Sequence, residues 1–170
     1  MKISMHAMSV DLFTHTLGNL SALLEKGLAH AKQRKFEPAV LLNARLAPDM
    51  LPLTRQVQIA CDIAKNSVAR LAAQEPPRFA DSETTFEELQ ARIARSVDYL
   101  KSLPPSAVAD SEERDIKVTA GERTLEFKGL EFLASWAIPN VFFHVTTAYA
   151  ILRHNGVELG KRDFLEGPRR

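Results

Sequence analysis

A chain of 170 residues is the size of one domain, spanning 1–170, and folding at that length buries about 70% of the extended-chain surface without need of covalent staples. Its 22 basic and 21 acidic side chains leave a formal charge of +1, which excludes the strong field that gathers nucleic acid or an anionic membrane. One cysteine, Cys61, excludes an intramolecular disulfide, and with no leader pattern at its start the chain is expected in the cytoplasm.

The first helix is expected over Asp11 to Lys32, where Leu12, Phe13, Leu17, Leu20, Leu24 and Leu28 recur at steps of three and four. A polar connection from Gln33 to Glu37 leads to Pro38, which suits the start of a helical turn around Ala39 to Asn43. A second long helix is expected from Pro48 to about Ala73, with Met50, Leu53, Val57, Ala60, Ala64, Val68 and Leu71 along one face. Cys61 reads as a small core filler within it. Pro76 and Pro77 end that helix, because neither donates a backbone N–H and each disfavours α geometry in the residue before it.

Thr84 followed three residues later by Glu87 predicts a capping box, and Phe86, Leu89, Ile93, Val97 and Leu100 form the stripe of a third helix closed by Pro104 and Pro105. The pattern then alternates, Ile116 with Val118 and Leu125 with Phe127 around Ala120 and Gly121, which predicts a β-hairpin. A fourth helix is expected from about Leu130 to His154, capped by Asn155 and Gly156 and bent or divided at Pro139. In the tail, Val157, Leu159, Phe164 and Leu165 are expected to pack back, and Arg169 and Arg170 to be loose. The fold class is therefore all-α, an antiparallel four-helix bundle with a small β-hairpin insertion before the last helix.

Phe132 to Leu152 carries no formal charge, yet includes Asn140 and His144. The length suits a bilayer, but Pro139, Asn140, His144 and the charged faces of the other helices argue for a buried helix, so no membrane role is expected. Residues four apart lie about 40° apart around a helix, and both polar groups are expected to look inward. Burying either without a partner costs about 1–3 kcal/mol, so another side chain, a water, a metal or a ligand is expected to answer them. On the second helix Asp49 and Gln56 border the apolar stripe and are the preferred partners. Gln58 is expected to point away, and Asp62 to be a solvated charge beside Lys65. His6, His15, His30 and His154 form no metal signature, and there is no HExxH, paired-cysteine, phosphate-loop or G-x-S-x-G motif.

The run PNVFFHVTTAYAILRHNGVELGKRDFL from Pro139, with RLAPDMLPLTRQVQIACD from Arg45 and TTFEELQARI from Thr84, resembles a bacterial family of uncharacterised proteins in the DinB/YfiT-like superfamily. That resemblance implies a four-helix bundle, often a homodimer, and in many members a metalloenzyme with a divalent ion on three histidines. One of those histidines comes from the second helix and two from an H-x-x-x-H pair on the fourth, ahead of a Leu-Arg pair and a glycine. Counting back from Leu152, Arg153 and Gly156, His144 takes the place of the second of the pair and Asn140 that of the first, and the second helix has no histidine. Only His144 and Asp49 remain as metal donors, because amide oxygens are weak ligands for zinc or nickel. A polar pocket of Asp49, Gln56, Asn140, His144 and Tyr149 is the expectation in the old position. Three functions compete: a thiol transferase or hydrolase using His144, a non-catalytic small-molecule-binding protein, and a structural homodimer.

Overall fold

The computed structural model of the protein describes residues 4–167, so the expectation for Arg169 and Arg170 lies outside the described residues. The fold is mostly helical with one two-stranded antiparallel hairpin. A π-helical turn, Ala7–Asp11, leads into α1 (Leu12–Arg34), which ends on Lys35 in the left-handed conformation. After the short α2 (Ala39–Leu42) come α3 (Leu53–Leu71) and α4 (Phe86–Ser102). α5 (Pro105–Val108) precedes β1 (Asp115–Ala120) and β2 (Arg123–Lys128). α6 (Gly129–Glu131), a π-helical segment (Phe132–Ala137) and α7 (Ile138–His154) then run on without a break, and α8 (Lys161–Glu166) closes the described chain.

α3 packs against both α7 and α4, and α1 packs against both α4 and α7. The apolar stripes converge between these four helices: Phe13, Leu17, Leu20, Leu53, Val57, Val68, Leu89 and Val141 are fully buried. Gly27 allows the close approach, since a Cβ there would press on Leu152 and on the Phe86 ring. No helix of the described residues is long and apolar enough to cross a membrane.

Three boundaries differ from the sequence expectation. α3 starts at Leu53, not Pro48, because Pro52 is extended (φ −71°, ψ 169°) and holds the residue before it out of α geometry. The capping box is Thr85 with Glu88, one residue later than Thr84 with Glu87. Thr85 Oγ1 accepts the Glu88 N–H at 3.1 Å, while Glu88 Oε2 accepts the N–H groups of Thr84 at 2.6 Å and Thr85 at 3.0 Å. These hydrogen bonds hold the Glu88 carboxyl below its ordinary pKa. At Pro139 the helix is neither cut nor capped; it widens to π bonding just before the proline, which relieves the ring of the clash that α geometry imposes with the carbonyl four residues back.

The hairpin pairs Ile116 with Phe127 and Val118 with Leu125 across its inward face. It is joined to α6 at a point that only glycine fits, because a Cβ on Gly129 would fall on the Ser111 carbonyl. The tail returns as expected for Val157 and Leu159, both buried, and for Phe164, whose ring meets Tyr149 and Phe142. Leu165 is instead exposed; its backbone carbonyl, rather than its side chain, is what meets α1, through His15 Nε2 at 2.9 Å.

Candidate functional site

The structure brings together His144 of α7 and Gln56 of α3, the two helices most closely packed on one another. His144 Nδ1 lies 2.7 Å from Gln56 Oε1. Gln56 is almost fully buried and donates its own amide N–H to the Leu51 carbonyl at 2.9 Å, so it is the amide oxygen that meets the ring. An oxygen can only accept; the proton therefore sits on Nδ1, and Nε2 keeps its lone pair. Nε2 has no hydrogen-bond partner among the described residues and is not one of their sealed, orphaned atoms. Burial holds the pKa of the half-buried ring below the ordinary 6.5, which keeps it neutral at pH 7. The Phe143 ring stands edge-on to it, centroids 5.2 Å apart. This arrangement presents one hydrogen-bond acceptor, or one proton acceptor, at the edge of the α3–α7 contact.

The other expected pocket residues do not join it as a set. Asn140 is half-buried beside the Ala137, Val141, Val145 and Ala148 stripe instead of within it, and its side chain makes no hydrogen bond among the described residues. Asp49 is exposed on the turn ahead of α3, because the late helix start leaves it outside the helix that was to carry it. Tyr149 is turned toward α8, its ring 6.0 Å from that of Phe164. Among the described residues, His144 lines none of five surface recesses of about 130 to 600 Å³.

A divalent ion does not fit this donor set. His144 brings one imidazole and Gln56 a neutral carboxamide, the second helix offers no histidine, and no group of three His, Cys, Asp or Glu side chains able to hold a metal ion occurs among the described residues.

Sequence periodicity missed a second polar centre, on the opposite flank of α3. Arg92 of α4 is fully buried. Its Nη1 donates to the Ala80 carbonyl at 2.9 Å and to both Glu83 oxygens at 3.1 Å; its Nη2 reaches Asp62 at 2.8 Å and Asp81 at 2.9 Å. Asp62, expected to be solvated, is thus a buried-edge partner of Arg92 and of Lys65 at 3.0 Å. Gln58, expected to point away from the core, is buried and donates to Glu83 Oε2 at 2.8 Å while accepting from Arg55 at 2.7 Å. Both corrections have one cause: the 79–83 linker folds over what the α3 stripe alone marks as its wet side. Cys61 lies in the same region, fully buried, and desolvation pushes its thiol up to about 12, so it is inert packing. The signal that was available is the density of charge in Asp81, Glu83, Arg92 and Arg95, too many for an unpaired linker.

The sequence profile of a domain of unknown function, DUF1993, matches residues 5–165. Among solved structures, the fold is similar to that of a DinB family member protein from Shewanella denitrificans, determined at 1.83 Å resolution, with 44% identity over 97% of this chain and 93% of that one and a TM-score of 0.87. No curated protein matches the chain.

Proposed function

The chain belongs to the DUF1993 family, a DinB-like family, and on that premise we propose that it is a single-domain four-helix bundle that binds a small molecule through a neutral histidine where the superfamily resemblance places a metal. The observation that carries this reading is the Gln56 lock on His144 Nδ1, with Nε2 left free. Locking one ring nitrogen fixes the tautomer and aims the other, the same device that orients metal-bound histidines, here without the remaining ligands. The expected ligand is a hydrogen-bond donor, an alcohol, amine or amide, whose proton Nε2 accepts. If the ligand is acidic enough, the same nitrogen is a general base, which is the enzymatic extension of the reading.

The test is a screen of small hydroxyl and amine compounds against the protein, followed through the His144 Cε1–H resonance by NMR. Compounds that move this resonance saturably, and that lose their binding in His144→Phe, support the reading. Binders unaffected by His144→Phe, or tight stoichiometric zinc, nickel or manganese binding that His144→Phe abolishes, would overturn it.

The outward face of α7 favours a homodimer as the working form. Pro139, Phe143 and Thr146 are exposed along it, Phe143 to 57%, and no formal charge falls between Phe132 and Leu152. Uncharged helix faces of this kind are covered by a partner, and a second copy brings the same uncharged face. A single sedimenting species of twice the chain mass that Phe143→Glu converts to monomer is the expected result.

A further inference from the structure

A recess of about 600 Å³ lies between the C-terminal half of α3, the linker that follows it and β1, lined by neither His144 nor Gln56. Four cations line it, Lys65, Arg70, Arg78 and Lys117, against two carboxylates, Asp62 and Glu75. The charges are not all matched. Lys65 is held by Asp62 at 3.0 Å and Lys117 by Glu126 at 2.8 Å, but Arg70 and Arg78 form no ion pair among the described residues. Arg70 is half-buried, and desolvation lowers its pKa; the Glu75 carboxylate on the same recess opposes that shift but forms no ion pair with it. Asn66 accepts from Lys65 Nζ through its Oδ1 at 2.8 Å, which leaves both of its amide hydrogens as donors without a protein partner among the described residues. Phe79, Pro76 and Pro77 supply an apolar wall.

Two guanidinium forks and a carboxamide donor around a recess beside an aromatic ring make a built site for oxyanions, because planar forks grip carboxylate or phosphate oxygens two at a time. We infer that this recess binds a small organic anion, its phosphate or carboxylate group held by Arg70, Arg78 and Asn66 and its body lying against Phe79 and the prolines. The ligand is small because the excess charge is local: the whole chain carries only +1, so there is no extended basic surface for a polyanion. Lys65 Nζ, also on the recess, lies over the Phe79 ring at 4.7 Å from its centroid.

Isothermal titration of the full chain with phenyl phosphate, inorganic phosphate and benzoate tests this. The expected result is saturable one-to-one binding of at least one of the three, with the better of phenyl phosphate and benzoate naming the anion class. Arg70→Gln and Arg78→Gln should each weaken it by roughly tenfold or more, the loss expected for a charge-assisted pair. Arg78 is exposed, so Arg78→Gln keeps the native melting temperature and separates lost binding from lost folding. Lys161→Gln, on α8 outside the recess, leaves affinity unchanged. No saturable heat from any of the three anions, unaltered binding in both arginine variants, or equal weakening by Lys161→Gln would each overturn the site.

Discussion

The two flanks of α3 carry polar groups of opposite character. Toward α4 and the 79–83 linker lies a closed ionic cluster: Arg92 has no exposed surface, and its guanidinium is answered by Asp62, Asp81, Glu83 and a backbone carbonyl. Toward α7 lies a neutral, half-open pair, Gln56 and His144, in which one ring nitrogen has nothing to do. The first flank has the charge, with the sealed Arg92 Nε as its one unpaired group among the described residues; the second has an unclaimed acceptor within reach of water. Charge density here marks where the chain is stitched to itself; the proposed binding position is marked instead by an acceptor that folding has oriented and left open.

The sharpest way to break the comparison is Arg92→Met. Among the described residues Arg92 is the one cation that meets all three carboxylates, while Lys65, Arg55 and Arg95 still reach Asp62, Asp81 and Glu83 singly. Its loss removes several charge-assisted hydrogen bonds without stripping any carboxylate bare, and about 2–3 kcal/mol of unfolding free energy should be lost in a urea titration. A loss under about 1 kcal/mol would show the cluster to be no more than surface pairing. Cys61 reports on the same flank. Its thiol, buried and pushed up to about 12, should react with a disulfide reagent at pH 8 only as fast as the protein unfolds, and Arg92→Met should speed that labelling in step with the lost stability.

Gln56→Leu tests the other flank and is smaller. One hydrogen bond is removed from a ring that water can still reach, so about 1 kcal/mol is expected, well below the arginine variant. Its larger effect is chemical: without the amide oxygen, the ring loses its fixed tautomer, and the imidazole nitrogen shifts should move toward an average of the two forms.

The smallest effect is in the pH dependence, and it separates the flanks by window. Burial depresses the His144 pKa below 6.5, so the unfolded chain takes up the proton first as pH falls. Stability from this group is complete above its unfolded pKa and declines below it, which predicts a melting temperature that falls as pH drops below about 6.5 and a fall that His144→Gln abolishes. Burial alone would raise Asp81 and Glu83, but hydrogen bonds and charges from Arg55, Gln58 and Arg92 bring both below the usual carboxylate range. Their contribution is likewise present above the unfolded values, 3.8 and 4.5, and is lost only in stronger acid. A single transition near pH 4 in both native and His144→Gln protein would remove the case for a buried neutral imidazole.

Much of this molecule can be read from its residues alone. The stripes Leu53, Val57, Ala60, Ala64, Val68 on α3 and Phe86, Leu89, Ile93 on α4 are buried as their spacing demands, and the hairpin register follows from alternation. Gln56 and His144 were legible as inward polar groups because each borders such a stripe. What periodicity reports, however, is only which side of an element prefers oil. Which polar side is then covered depends on segments remote along the chain: the 79–83 linker that seals Asp62 and Gln58, the glycine-tight join of Ser111 to Gly129, and the carbonyls of Phe164 and Leu165 that reach Asn19 and His15. Asp49 shows the converse, since one proline, Pro52, shortened its helix and left it in water. Local preference is a property of a few neighbouring residues, and the covering of a polar face is settled only when distant segments meet over it.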